Sequence, residues 1–149
     1  MTVKLEHVAL VVDDLDGVVA FFTELGLELE GEAALDGLTV DRLCGLDGVR
    51  SRIAMLRTPD GLGRIELIKY LAPVGPDGDK APPPNTPGIR HIVFSVPDIE
   101  DALRRLESHG ATLVGELVQY EDSYRLAYVR GPEGFMIELA QQLGLPSAP

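Results

Sequence analysis

Three histidines occur in the chain, and two of them, His7 and His91, open similar segments, HVALVV and HIVFSV. Each is answered later by a glutamate between apolar neighbours. Glu66 stands in RIEL, 59 residues after His7, and Glu138 stands in MIEL, 47 residues after His91. A carboxylate in a hydrophobic strand is costly unless it is paired or bound to a cation. Two neutral imidazoles and two carboxylates make a mixed nitrogen and oxygen donor set for a borderline divalent ion. Nickel, zinc, cobalt, manganese and iron suit such a set, one ion per two-module site. Four protein ligands leave about one or two positions for water or substrate, as Lewis-acid chemistry requires. The third histidine, His109, replaces Leu25 at the end of a helix. There it serves as a cap for carbonyls at the negative helix end, and it is left out of the site.

The elements that must position these residues are written twice. Residues 7–32 align with residues 91–116 at a constant offset of 84, without a gap, and seven of the 26 pairs are identical. The closing segments repeat as well: Pro59-Asp60-Gly61 precedes Ile65-Glu66-Leu67, and Pro132-Glu133-Gly134 precedes Ile137-Glu138-Leu139. An internal duplication carries both its start and its end in order, and it implies a pseudo-twofold arrangement.

Each half reads as strand, helix and three strands. The first strand, Leu5 to Val12, alternates so that His7 shares a face with Leu5 and Ala9, opposite Val8, Leu10 and Val12. Asp14 and Asp98 are placed to cap the helices that follow. Leu15, Val18, Val19, Phe22 and Leu25 recur at helical spacing, as do Ile99, Ala102, Leu103 and Leu106. Gly26 and Gly110 stand where each helix should stop with positive φ. Further strands are predicted at 27–34, 51–57 and 64–71, then at 112–119, 124–130 and 135–140. Residues 35–49 account for most of the extra length of the first half and predict a loop or short helix over one end of its sheet. The expected organisation is a first βαβββ module at 1–72 and a Pro/Gly-rich linker at 73–88. A second module follows at 89–143, with a fraying tail at 144–149. The expected fold class is α+β, with the two tandem βαβββ modules paired pseudo-symmetrically and the His/Glu face on the concave side.

Composition narrows the function. Acidic residues outnumber basic ones 24 to 13, for a formal net charge of -11, and no Lys/Arg block occurs. That excludes a nucleic-acid partner on electrostatic grounds. A hydrophobic fraction of 45% supports a folded core in 149 residues. Cys44 is the single cysteine, so neither a disulfide nor a cysteine metal knuckle forms within the chain, and it reads as a small buried hydrophobe. No signal peptide or membrane span is read, so a cytoplasmic protein with no membrane partner is the expectation.

The repeated module, HVALVVDDLDGVVAFFTELGLELEGE, together with GRIEL and PEGFMIEL, resembles the vicinal oxygen chelate superfamily of glyoxalases, bleomycin-resistance proteins and dioxygenases. The resemblance covers about residues 4–142 and is most similar to a glyoxalase I-like metal enzyme. It implies paired modules forming an open, concave β-barrel-like site, with one metal ligand from each of His7, Glu66, His91 and Glu138. It also implies proton transfer by a metal-site glutamate, which makes Glu66 and Glu138 the catalytic candidates. Methylmalonyl-CoA epimerase is similar but usually carries glutamine at the position of Glu66. The leading expectation is a divalent-metal-dependent isomerase or lyase that polarises a small oxygenated substrate. The alternatives are a metal-free module that sequesters a small molecule or toxin, and a ferrous extradiol dioxygenase. Arg52, Arg57, Tyr120, Tyr124, Arg125 and Tyr128 are candidate wall residues. Alternation leaves open whether Arg125 or Tyr128 faces the site. A homodimer is an expected partner state, with the modules pairing within one chain or between two.

Overall fold

The computed structural model describes residues 1–144. Contacts divide the chain into two compact units, Met1–Gly78 and Asp79–Pro149. The internal duplication is visible in both.

The first unit runs β1 (Val8–Val11), α1 (Leu15–Leu25), β2 (Glu28–Asp36), α2 (Leu38–Cys44), β3 (Arg50–Arg57) and β4 (Arg64–Ala72). Its sheet has the order β1-β4-β3-β2, with β1 parallel to β4 and the other pairs antiparallel. The Asp14 carboxylate accepts from the Gly17 N–H at 3.0 Å and starts α1. Gly26, at φ +123°, ends it. The helix buries Leu15, Val18, Phe21 and Phe22 against a sheet face made by Ala54, Leu56, Ile65 and Leu67. Phe21 and Phe22 meet edge to face, with ring centroids 5.1 Å apart. Burying such side chains contributes about 1.5–3 kcal/mol each. The extra length of the first half forms α2. Beyond it, the Asp41 carboxylate accepts from the Gly48 and Val49 N–H groups at 3.0 and 2.7 Å and folds the loop back into β3.

The second unit runs β5 (His91–Ser95), α3 (Ile99–Glu107), β6 (Thr112–Leu113), β7 (Val118–Tyr120), β8 (Tyr124–Arg130) and β9 (Met136–Gln142). A 3-10 turn at Pro132–Gly134 joins β8 to β9. Its sheet has the order β5-β9-β8-β6, and β7 also pairs with β8. Asp98 caps α3 by accepting from the Asp101 N–H at 3.0 Å. Ile99, Ala102 and Leu106 form the buried stripe, with Ala127, Val129, Ile137 and Leu139 buried in the sheet. The strand expected at 112–119 is divided. Leu113 pairs with Val129 and Val118 with Leu126, so five steps of one strand face three of its neighbour and the chain loops out around Gly115.

The second half of the Pro/Gly segment is fastened to this unit. Arg130 donates to the carbonyls of Gly134 and Pro82. Arg90 donates to those of Thr86 and Pro87, each at 3.1 Å. The expected fraying of the tail concerns residues that, apart from Gly144, lie outside the described ones.

One expectation is overturned: the barrel-like form. Each sheet is open. In the first, β1 and β2 stand at opposite edges with β4 and β3 between them, and in the second β5 and β6 do the same. Closure needs those edges to pair and about eight tilted strands to make the circuit. Four or five strands with helices packed against them satisfy their apolar faces without closing. Among the described residues no helix is long and apolar enough to cross a membrane.

Candidate functional site

The parallel pairing of first and last strands brings each histidine to its glutamate. In the first unit Ala9 stands opposite Glu66, and His7 lies two residues before Ala9. In the second Val93 stands opposite Glu138, and His91 lies two residues before Val93. A step of two keeps the side chain on one face. The result is the same contact twice: His7 Nε2 to Glu66 Oε2 at 3.3 Å, and His91 Nε2 to Glu138 Oε2 at 3.3 Å. The exposures match too, 32% and 17% in the first pair, 28% and 16% in the second. Both neighbours of each glutamate in sequence, Ile65 and Leu67, Ile137 and Leu139, point to the opposite face and are buried there, which fixes the strand that carries the carboxylate.

The surroundings of the two pairs differ. Glu138 stands beside Tyr128 on β8, and the Tyr128 ring lies 4.8 Å from the His91 ring at a tilt of 39°. Tyr128 is therefore on the site face. Arg125 is on the other face with buried Ala127 and Val129, and it donates to Glu100 of α3 at 2.9 Å. Glu66 stands beside Met55 instead. Four residues along β4 from Glu66, Tyr70 meets Cys44 of α2, with Oη and Sγ 3.8 Å apart. Cys44 holds the Tyr70 phenol above its ordinary pKa, aided by burial and by the Glu66 charge. Cys44 is half-buried rather than enclosed.

Other wall candidates have different employment. Arg57 is paired with Glu28 at 3.1 Å, and Arg52 lies 3.8 Å from Asp16. Tyr120 and Tyr124 are exposed. His109 lies in the turn after α3, its N–H donating to the Leu106 carbonyl. Residues absent from the sequence reading are Glu6, Glu30 and Arg64. Arg64 binds Glu30 through Nε and Nη2 and reaches Glu6 through Nη1. Glu30 holds the Arg64 guanidinium above its ordinary pKa, and Arg64 holds the Glu30 carboxyl below its own.

Each His–Glu pair fits part of a metal ligand set. A nitrogen and an oxygen 3.3 Å apart are spaced as two ligands of one ion are, since metal–ligand distances of about 2.1 Å then subtend about 100°. Among the described residues no group of three or more His, Cys, Asp or Glu side chains is gathered to hold an ion. Each pair alone is thus a two-ligand half-site, short of the about three protein ligands of a catalytic ion.

Comparison with known proteins agrees with the duplicated fold. The family model described as "Glyoxalase/Bleomycin resistance protein/Dioxygenase superfamily" matches residues 4–139. The crystal structure of a glyoxalase family protein from Bacillus cereus superposes with a TM-score of 0.93 at 45% identity, covering 97% of each chain. A 2-epi-5-epi-valiolone epimerase of an Actinomyces species is 34% identical over 149 residues, spanning 92% of this chain and 78% of the relative. A lactoylglutathione lyase of Schizosaccharomyces pombe is 32% identical over 152 residues, and the match spans 48% of that protein.

Proposed function

Because the chain belongs to the glyoxalase/bleomycin resistance protein/dioxygenase superfamily, we propose that it is a metal-dependent isomerase or lyase. Its substrate is a small oxygenated molecule with an acidic C–H beside a carbonyl. The observation that carries this reading is the repeated His–Glu contact at 3.3 Å on the sheltered face of each sheet. His7, Glu66, His91 and Glu138 would hold one divalent transition ion when the two pairs meet, in one chain or in two copies. The ion would supply Lewis-acid polarisation of the substrate carbonyl, acidifying the adjacent carbon.

The chain's own residues do the rest. Glu66 or Glu138 takes the carbon-bound proton on a carboxylate oxygen and returns it to a neighbouring position. Both carboxylates are partly exposed, 17% and 16%, so a proton taken from carbon exchanges with water before it is returned. The hydrophobic strand neighbours keep the glutamate backbone fixed while the side chain swings. Tyr128, beside Glu138 and against His91, limits where the substrate can lie. Epimerase and lyase relatives support a reaction of this class.

The test is a panel of 2-hydroxyketones, keto-cyclitols and thiol hemithioacetals in deuterated buffer, with nickel, zinc, cobalt and manganese each added. Metal-dependent deuterium incorporation beside a carbonyl is expected for at least one substrate. Oxygen consumption with catechols and ferrous iron, or tight chelator-insensitive binding without exchange, would overturn the reading.

A further inference from the structure

His7 Nδ1 is buried and makes no hydrogen bond, the one such side-chain atom among the described residues. An unpartnered buried ring nitrogen is uncommon, because it loses water without gaining a substitute. Glu6 Oε1 lies 3.7 Å from it, just past hydrogen-bond length. Glu6 is not free to drift, since Arg64 Nη1 donates to that same oxygen. Arg64 is anchored in turn by a two-point contact to Glu30, Nε to Oε1 at 3.2 Å and Nη2 to Oε2 at 2.7 Å. Glu30 is the extra residue of the β-bulge between Leu29 and Gly31. Bulges re-aim side chains in this way. A continuous line of contacts therefore leads from the bulge to the far side of the His7 ring.

The duplicated half lacks every member of this line. Arg90 stands in place of Glu6, Val114 in place of Glu30 and Met136 in place of Arg64. Arg90 is turned to the Thr86 and Pro87 carbonyls. His91 has the Tyr128 ring beside it. The network thus belongs to one histidine and is not a feature of the module.

We infer that, in the metal-loaded protein, Glu6 is a positioning residue that accepts the Nδ1–H of His7 and so leaves Nε2 bare for the ion that it would share with Glu66. The opposite tautomer would put a hydrogen on Nε2, where ligation requires a lone pair, and would turn the Nδ1 lone pair toward an anion. Arg64 acts one step further out, by holding Glu6 in reach. The inference rests on the reading of His7 as a ligand.

The experiment uses the full chain loaded with zinc. Imidazole nitrogen NMR and zinc affinity by chelator competition are recorded for each variant. The wild type should show a slowly exchanging Nδ1–H on His7. Glu6→Ala should lose that signal and bind zinc about 10–100-fold more weakly, the usual loss when an outer partner of a ligand is removed. Glu6→Gln keeps an accepting oxygen and should recover part of both. Arg64→Met should weaken binding less than Glu6→Ala, and Arg90→Ala should change neither readout. A Glu6→Ala protein with wild-type zinc affinity and the wild-type Nδ1–H signal would overturn the inference. So would a wild-type Nδ1 proton that exchanges as fast as the variant's. If instead His7→Ala leaves zinc affinity intact, the ligand reading itself fails, which separates the two.

Discussion

Glu66→Gln and Glu138→Gln are expected to divide the work of the two carboxylates. At saturating metal, one variant should lose carbon–proton exchange by about 10²–10⁴-fold, the usual contribution of a positioned general base. The other should keep most of its exchange and show its effect as weaker metal binding. The substitution is isosteric and leaves an amide oxygen as a possible ligand, but it removes the basic oxygen that carries a proton. The environments give a reason for asymmetry: Glu138 is flanked by Tyr128, Glu66 by Met55. Near-wild-type exchange in both variants would remove the glutamates from proton transfer.

Phe22→Ala is expected to cost about 3–5 kcal/mol of stability, a large part of the about 5–15 kcal/mol that holds a domain folded. Phe22 is fully buried, touches Phe21 edge to face and seats α1 on its sheet. Val18, Ala54, Leu56 and Leu67 of the same unit are buried as well, and losing the ring leaves a cavity in that core. Urea unfolding should show a lower midpoint with an unchanged slope. Leu62→Ala, at an 85% exposed turn position, should stay within about 0.5 kcal/mol of wild type. A loss below about 1 kcal/mol at Phe22 would contradict the packing described here.

Much of this was legible in the chain. The duplicated spacing placed a histidine in the first strand and a glutamate in the last strand of each half; that these strands pair in parallel and bring the two side chains to 3.3 Å is read from the structure. The caps Asp14 and Asp98 and the stop at Gly26 follow from local chemistry, and the structure shows each. Barrel-like closure came from the resemblance, and the open strand order replaces it. Alternation alone left Arg125 and Tyr128 interchangeable, since only burial of Ala127 and Val129 tells which face is core. The Glu6–Arg64–Glu30 line was hidden for a different reason. The acidic alternation of Glu28, Glu30 and Glu32 is plain in the sequence, but the meeting of Glu30 with Arg64 comes with a bulge that inserts one residue into the register. No periodicity reports that. Likewise the Tyr70–Cys44 contact joins a strand to a helix that interrupts the repeat.

The central claim is that His7, Glu66, His91 and Glu138 hold one ion, and metal titration of the stripped protein by equilibrium dialysis and elemental analysis tests it most directly. One zinc or nickel ion per chain is predicted, with binding weakened by acid because protons compete for imidazole and carboxylate. His7→Ala and His91→Ala should each lose more affinity than the about 10–100-fold expected for removing an outer partner, and His109→Ala should match wild type. Full metal affinity in both His7→Ala and His91→Ala would contradict the shared site.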